Sequence, residues 1–205
     1  MTVVRAIWFS TCDLAPLLAF ALLLLLPGVA VRCGLLSFDL RFEALILVSG
    51  LCIGLCVYYG FSASELGLRT PWVARHWLGG VAVTLLLGAS ILIEGRFLGP
   101  AHDAPNWIGF APFYVLVSSP CQEVVCRAIP KLIADRLQMS GRNYVLFSSV
   151  IFSLMHNAYG EPLLLVNTFF AGLAWATAYL LTRNIWPVVA SHAVIGTLAF
   201  WIGVA

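Results

Sequence analysis

Charge is what this sequence has least of. Only 10% of its 205 residues are charged, against about 25% in a typical soluble domain. The 11 Lys and Arg nearly balance the 9 Asp and Glu, leaving a formal net charge of +2. That scarcity excludes a water-soluble globule and a disordered chain, and the lack of a basic face excludes a nucleic-acid partner. The six cysteines contain no CxxC pair. Cys52, Cys56, Cys121 and Cys126 sit inside apolar segments and read as small apolar fillers, while Cys12 and Cys33 lie near segment ends. No internal repeat is present, which disfavours a transporter built from paired halves. Nothing resembles HExxH, and although a zinc site from Glu123, His156 and His192 is chemically feasible, no metal or other cofactor is expected.

What is abundant is apolar surface: 61% of the residues are hydrophobic and the mean hydropathy is +0.98. A membrane-crossing helix needs about 20 apolar residues, and seven such segments can be placed, roughly at 14–32, 43–61, 77–98, 107–130, 143–158, 162–181 and 185–204. The expectation is an all-α, polytopic transmembrane helical bundle of about seven spans. Residues 1–205 form a single transmembrane domain whose motif-bearing core is about 107–205. Arg5 precedes the first apolar run, yet no A-x-A-like cleavage site follows before Arg32, so a retained helix is expected rather than a signal peptide. Arg5, Arg69, Arg75, Arg127, Lys131, Arg136, Arg142 and Arg183 fall on one side of the layer and Arg32, Arg41 and Arg96 on the other, which favours a cytoplasmic N-terminus.

Against this background each buried polar residue is informative, since lipid charges a few kcal/mol for it. Glu123 and Arg127 stand four apart in SSPCQEVVCRAIP, between Pro120 and Pro130. On a helix they share a face and can pair, and the prolines point to a kink. The next span ends FSLMHN, with Phe152 and His156 on one face, and the last carries His192 near its start. Read structurally, these are an intrahelical ion pair and two packed histidines. Read chemically, a carboxylate and an imidazole sharing one water can take its proton and aim it at a carbonyl while a second imidazole steadies the oxyanion. That reading points to peptide-bond hydrolysis within the membrane.

The order of these pieces resembles the CAAX-protease and bacteriocin-processing (Abi) family of glutamic intramembrane proteases, in which EExxxR, FxxxH and HxxxN lie on successive helices. Gln122 to Arg127 is similar to the first motif, Phe152 to His156 to the second and His192 to Gly196 to the third. Glu65 to Arg69 and the stretch from Asn167 to His192 add to the likeness, which covers most of residues 61–200. The first Glu of the family's pair is Gln122 here, and its final Asn is Gly196. The resemblance implies a catalytic set of Glu123 as general base, His156 as its partner on the water and His192 as oxyanion stabiliser. Arg127 would hold Glu123 in register, Gln122 would position substrate or water, and Asn157 or Asn167 would supply the donor missing at Gly196. The substrate would be a protein or peptide with a C-terminal, membrane-embedded or membrane-proximal cleavage site. The expected location is a bilayer, the bacterial inner (cytoplasmic) membrane.

Two other readings stay open. Cys121 or Cys126, near Arg127 and a histidine, could act as nucleophile in a sortase-like transpeptidase working on C-terminal sorting signals. Alternatively, the same polar cavity binds a peptide without cutting it, as an immunity or scaffolding protein. Elsewhere, Asp13, Glu43 and Glu94 are expected to face water near segment ends, and Glu161 is placed to orient the His156 ring. Trp72, Trp77, Trp107, Trp186 and Trp201 suit interface anchoring, and Gly79, Gly80 and Gly172 suit close helix approach. His76 and His102 are assigned no role.

Overall fold

The computed structural model describes residues 14–68, 72–100 and 102–204; Arg5, Cys12, Asp13 and Arg69 lie outside the residues whose conformation or side chain it describes. Among the described residues the fold is entirely helical. Seven consecutive rods follow the seven expected segments: α1 Leu14–Arg32, α2 Arg41–Tyr58, α3 Ala74–Leu98, α4 at 107–136, α5 Gly141–Met155, α6 Pro162–Thr182 and α7 Trp186–Ile202. By length and composition, three of them can cross a membrane: α2 with the 3-10 turn Phe38–Leu40 that leads into it, α3 and α6.

Local chemistry explains where the rods stop. Asn106 caps α4 by accepting the Ile108 N–H at 3.3 Å, and Ser140 caps α5 by accepting the Asn143 N–H at 3.2 Å. The segment expected to continue to 158 ends as α-helix at Met155 and finishes in the 3-10 turn His156–Tyr159. Gly160 then takes a left-handed φ of 74°, one residue from Glu161-Pro162.

The distribution of polarity is that of a protein dissolved in lipid. Leu22, Leu47, Leu85, Leu86, Phe97 and Leu181 are exposed on the outside of the bundle, while Ser118, Ser119, Gln122, Glu123, Arg127, Ser148 and His192 are buried within it. The centre is α4, in which every side chain from Gln122 to Pro130 is buried. Around it α5 packs along α6 and α3 along α7. Both contacts depend on a glycine: a Cβ on Gly80 would meet the Pro187 Cβ at 2.9 Å, and one on Gly172 would meet the Ser149 Cα at 2.9 Å. Gly79, expected to do the same, has open space beside it.

The two prolines of α4 shape it differently from the expected single kink. Each follows a π turn, Tyr114–Ser118 before Pro120 and Val124–Ala128 before Pro130. A proline in a helix interior lacks the N–H that would continue the ladder, and its ring crowds the carbonyl four residues back. The widened turns supply i→i+5 bonds in that neighbourhood: the Ser119 N–H donates to Tyr114 C=O, and the Ile129 N–H to Val124 C=O. Gln122 and Glu123 sit on the short α-helical stretch between them.

Candidate active site

Glu123 and Arg127 are both fully buried and form an ion pair, with Arg127 Nε 3.0 Å from Glu123 Oε2. The pair is not aligned as a hydrogen bond, so it relies on charge. Arg127 Nη1 donates to Ser148 Oγ at 3.1 Å and to Ser148 C=O at 3.4 Å, and the guanidinium lies 4.6 Å over the Phe152 ring. The π turn around Arg127 is tied in from α5, because the Ser148 hydroxyl donates to Cys126 C=O at 2.6 Å.

The other carboxylate oxygen, Glu123 Oε1, lies 2.6 Å from His192 Nδ1. A carboxylate only accepts, so Nδ1 carries the hydrogen and Nε2 is the imidazole's remaining polar atom. The ring is fixed on both sides: stacked on Trp175 with centroids 4.5 Å apart and meeting the Phe152 ring edge-on at 5.5 Å. Trp175 is itself pinned, its Nε1–H donating to Ser191 Oγ at 3.0 Å, and Ser191 is also bonded to Thr84 Oγ1 at 2.8 Å. One hydroxyl thus joins α3, α6 and α7 directly beside His192.

His156 reaches the same Phe152 ring, 4.6 Å between centroids. Its Nδ1 lies 2.8 Å from Phe152 C=O. A carbonyl can only accept, so this ring too carries its hydrogen on Nδ1 and, when neutral, keeps a lone pair on Nε2.

A cavity of about 320 Å³ opens above these groups. Gln122, His156, His192, Tyr114, Glu94 and Asn167 supply its polar wall, and Phe42, Phe152, Trp175 and Phe200 belong to its apolar one. Gln122 and His156 also line a second cavity of about 70 Å³ beneath Arg41 and Leu45, roomy enough for water. Gln122 holds its amide in place by donating to Ser118 Oγ at 2.9 Å.

The expected set is therefore gathered, with a division of labour that differs from the expectation. His156, His192 and Gln122 face the cavity, whereas Glu123 does not line it and has both oxygens engaged. Asn167 lines the cavity and Asn157 does not. Neither Cys121 nor Cys126 lines it, and Cys126 is fully buried with its Sγ 3.2 Å from Met155 Sδ. Glu161 pairs with His102 at 3.1 Å rather than with His156. Glu94, expected to face water, turns into the cavity. Among the described residues no group of three or more His, Cys, Asp and Glu side chains is arranged to hold a metal ion.

Three contributors escaped sequence reasoning. Trp175 and Ser148 carry no motif of their own. Tyr114 has a signal only in retrospect, at Gly196: a Cβ there would overlap the Tyr114 hydroxyl and lie 2.5 Å from its Cζ. The tyrosine fills the space that a side chain at 196 would occupy.

Residues 104–198 match the family model described as type II CAAX prenyl endopeptidase Rce1-like. No curated protein and no solved structure matches the chain. The matched segment contains Tyr114, Gln122, Glu123, Arg127, His156, Trp175, His192 and Gly196, and so carries most of the polar chemistry just described. By this match, residues 104–198 belong to the type II CAAX prenyl endopeptidase Rce1-like family of membrane-integral proteases.

Proposed function

We propose that the protein is an intramembrane endopeptidase that cleaves a C-terminal or membrane-proximal peptide of a membrane-associated or exported protein with histidine- and glutamate-activated water. The observation that carries the reading is the buried Glu123–His192 contact under a cavity that His156 and Gln122 face. His156 Nε2 takes a proton from a water whose position is set by Gln122 Oε1, and the hydroxide oxygen bonds to the scissile carbonyl carbon. Collapse of the tetrahedral intermediate breaks the C–N bond, and the same proton passes from His156 to the leaving amine.

Glu123 acts at one remove. Its carboxylate favours the protonated form of His192, whose Nε2–H then donates to the oxyanion, and Arg127 holds the carboxylate in place. The Tyr114 hydroxyl, seated where the family pattern has the Asn side chain that Gly196 lacks, is a second donor to the same oxygen. In the bilayer, all seven rods would span, with the N-terminus cytoplasmic and the bacterial inner membrane as the host.

Terminal-peptide mass spectrometry of membrane and secreted proteins tests the proposal, comparing cells carrying the wild-type chain with His156→Ala, His192→Ala and Glu123→Ala variants at matched expression. Uncut precursors sharing a C-terminal or leader pattern should accumulate in all three variants. Identical termini in all four strains would refute proteolysis and favour peptide binding without cleavage, a reading to which Gln122 at the water-facing position lends its own support.

A further inference from the structure

The large cavity has a second polar station that the hydrolytic machinery leaves unused. Glu94, four residues before the end of α3, points its carboxylate inward, and Asn167 of α6 grips it, Nδ2 donating to Oε1 at 2.9 Å and to Oε2 at 2.8 Å. Glu94 forms no ion pair among the described residues. The grip also fixes Asn167: with Nδ2 committed to a carboxylate, its Oδ1 is the free end of the amide, and Oδ1 can only accept. Ser90 lines the same stretch of wall, and its hydroxyl hydrogen is spent on Leu86 C=O at 3.2 Å. The two carboxylate oxygens, the amide oxygen and the hydroxyl oxygen thus form a wall of acceptors with no hydrogen left to donate. Such a wall repels anions and is completed by a cation rich in N–H groups. The surrounding walls are apolar, so the carboxylate's pull on a cation is far less screened than it would be in water.

We infer that Glu94 and Asn167 form a specificity subsite for a basic side chain, Arg or Lys, of the peptide substrate. The inference rests on the proteolytic reading for the identity of the ligand, though not for the existence of the subsite. Its distance from the reacting groups sets the register. Glu94 lies ten residues further along α3 than Thr84, whose hydroxyl meets Ser191 beside His192, which is about 15 Å of helix rise. An extended peptide advances roughly 3.4 Å per residue, so the basic residue falls within about five positions of the scissile bond. The apolar walls between the two stations, including Ile91, Ile195 and Ala199, would hold apolar side chains in that interval.

Two measurements on the full-length chain in lipid nanodiscs and in cells test this. Saturable binding of n-dodecylguanidinium to wild type should weaken at least about tenfold in Glu94→Gln, while binding of n-dodecanoate is the same for both. In the terminal-peptide experiment, wild-type cleavage sites should be enriched in Arg or Lys at one fixed position within about five residues of the cut, and Glu94→Gln should lose cutting at those sites. Equal guanidinium binding by the two proteins, or wild-type rates of cutting at basic sites in Glu94→Gln, would overturn the subsite while leaving proteolysis standing. Glu94-dependent guanidinium binding without any wild-type cleavage would overturn proteolysis while leaving the subsite standing.

Discussion

The substitution Gly196→Ala puts the fit between α7 and α4 to the test. The added methyl would sit 2.5 Å from Tyr114 Cζ and 2.6 Å from Cε1, and would overlap the hydroxyl. Ordinary carbon–carbon contact needs about 3.5 Å or more, so the ring or the α7 backbone must give way by roughly 1 Å. The ring has little room to do so. It stacks on Phe110 with centroids 5.3 Å apart and meets Phe200 edge-on at 5.5 Å. Overpacking of this kind costs about 1–3 kcal/mol, and glycine's own lower helix propensity returns somewhat less than 1 kcal/mol to the alanine variant. The net expectation is a loss of about 0.5–2 kcal/mol, measured as reversible unfolding of the purified protein in mixed micelles. Combining Gly196→Ala with Tyr114→Ala removes the clash, so the double-mutant cycle should show a favourable coupling of at least about 1 kcal/mol. Additive effects would refute the claim that Tyr114 occupies the place of the missing side chain. An intact Tyr114 and Gly196→Ala stability equal to wild type would refute it as well.

Three further outcomes follow from the same geometry. Arg127→Met leaves Glu123 buried without its cation and should destabilise the fold by about 3–5 kcal/mol, much of which the added change Glu123→Gln restores; equilibrium unfolding measures both. Trp175→Phe loses the bond to Ser191 Oγ and one side of the His192 stack, so stability should fall by about 0.5–1.5 kcal/mol. Its substrate processing should drop further than that of Thr84→Val, which perturbs the same hydroxyl without touching the histidine. Cys121→Ala and Cys126→Ala should leave processing within about twofold of wild type at matched protein levels, since neither thiol lines the cavity; loss of processing in either would revive the transpeptidase reading.

The helical segments were legible because lipid enforces a simple rule, about 20 apolar residues between polar breaks. The rule fails at His156, where the apolar run continues but Gly160 and Pro162 end the helix. The cluster around Arg127 was legible for the converse reason: charges in an apolar run have to meet one another. Periodicity placed Glu123 and Arg127 together, but it could not decide whether Gln122 or Glu123 meets the cavity. Those two residues point about 100° apart, and the choice between them depends on π turns that no local propensity announces. Glu94 misled for a different reason. Its position near the end of α3 suggested solvent, and only Asn167, more than seventy residues away in sequence, shows which way it turns.

A π turn holds one residue more than the α-helical turn it replaces, and so works as a phase shifter along α4. A chain that lost a single residue between 114 and 118 could close that turn into ordinary α-helix without shortening any other element. Everything after it would then rotate by about 100° relative to the N-terminal part of the rod. In that frame Glu123 would take the angular position now held by Gln122 and bring a carboxylate to the cavity wall, at the expense of its contacts with Arg127 and His192. For two neighbouring residues of such different chemistry, a one-residue insertion or deletion is a larger functional event than most substitutions. Descent within this fold can therefore exchange what faces the cavity by a change in length at a position that contributes no chemistry itself.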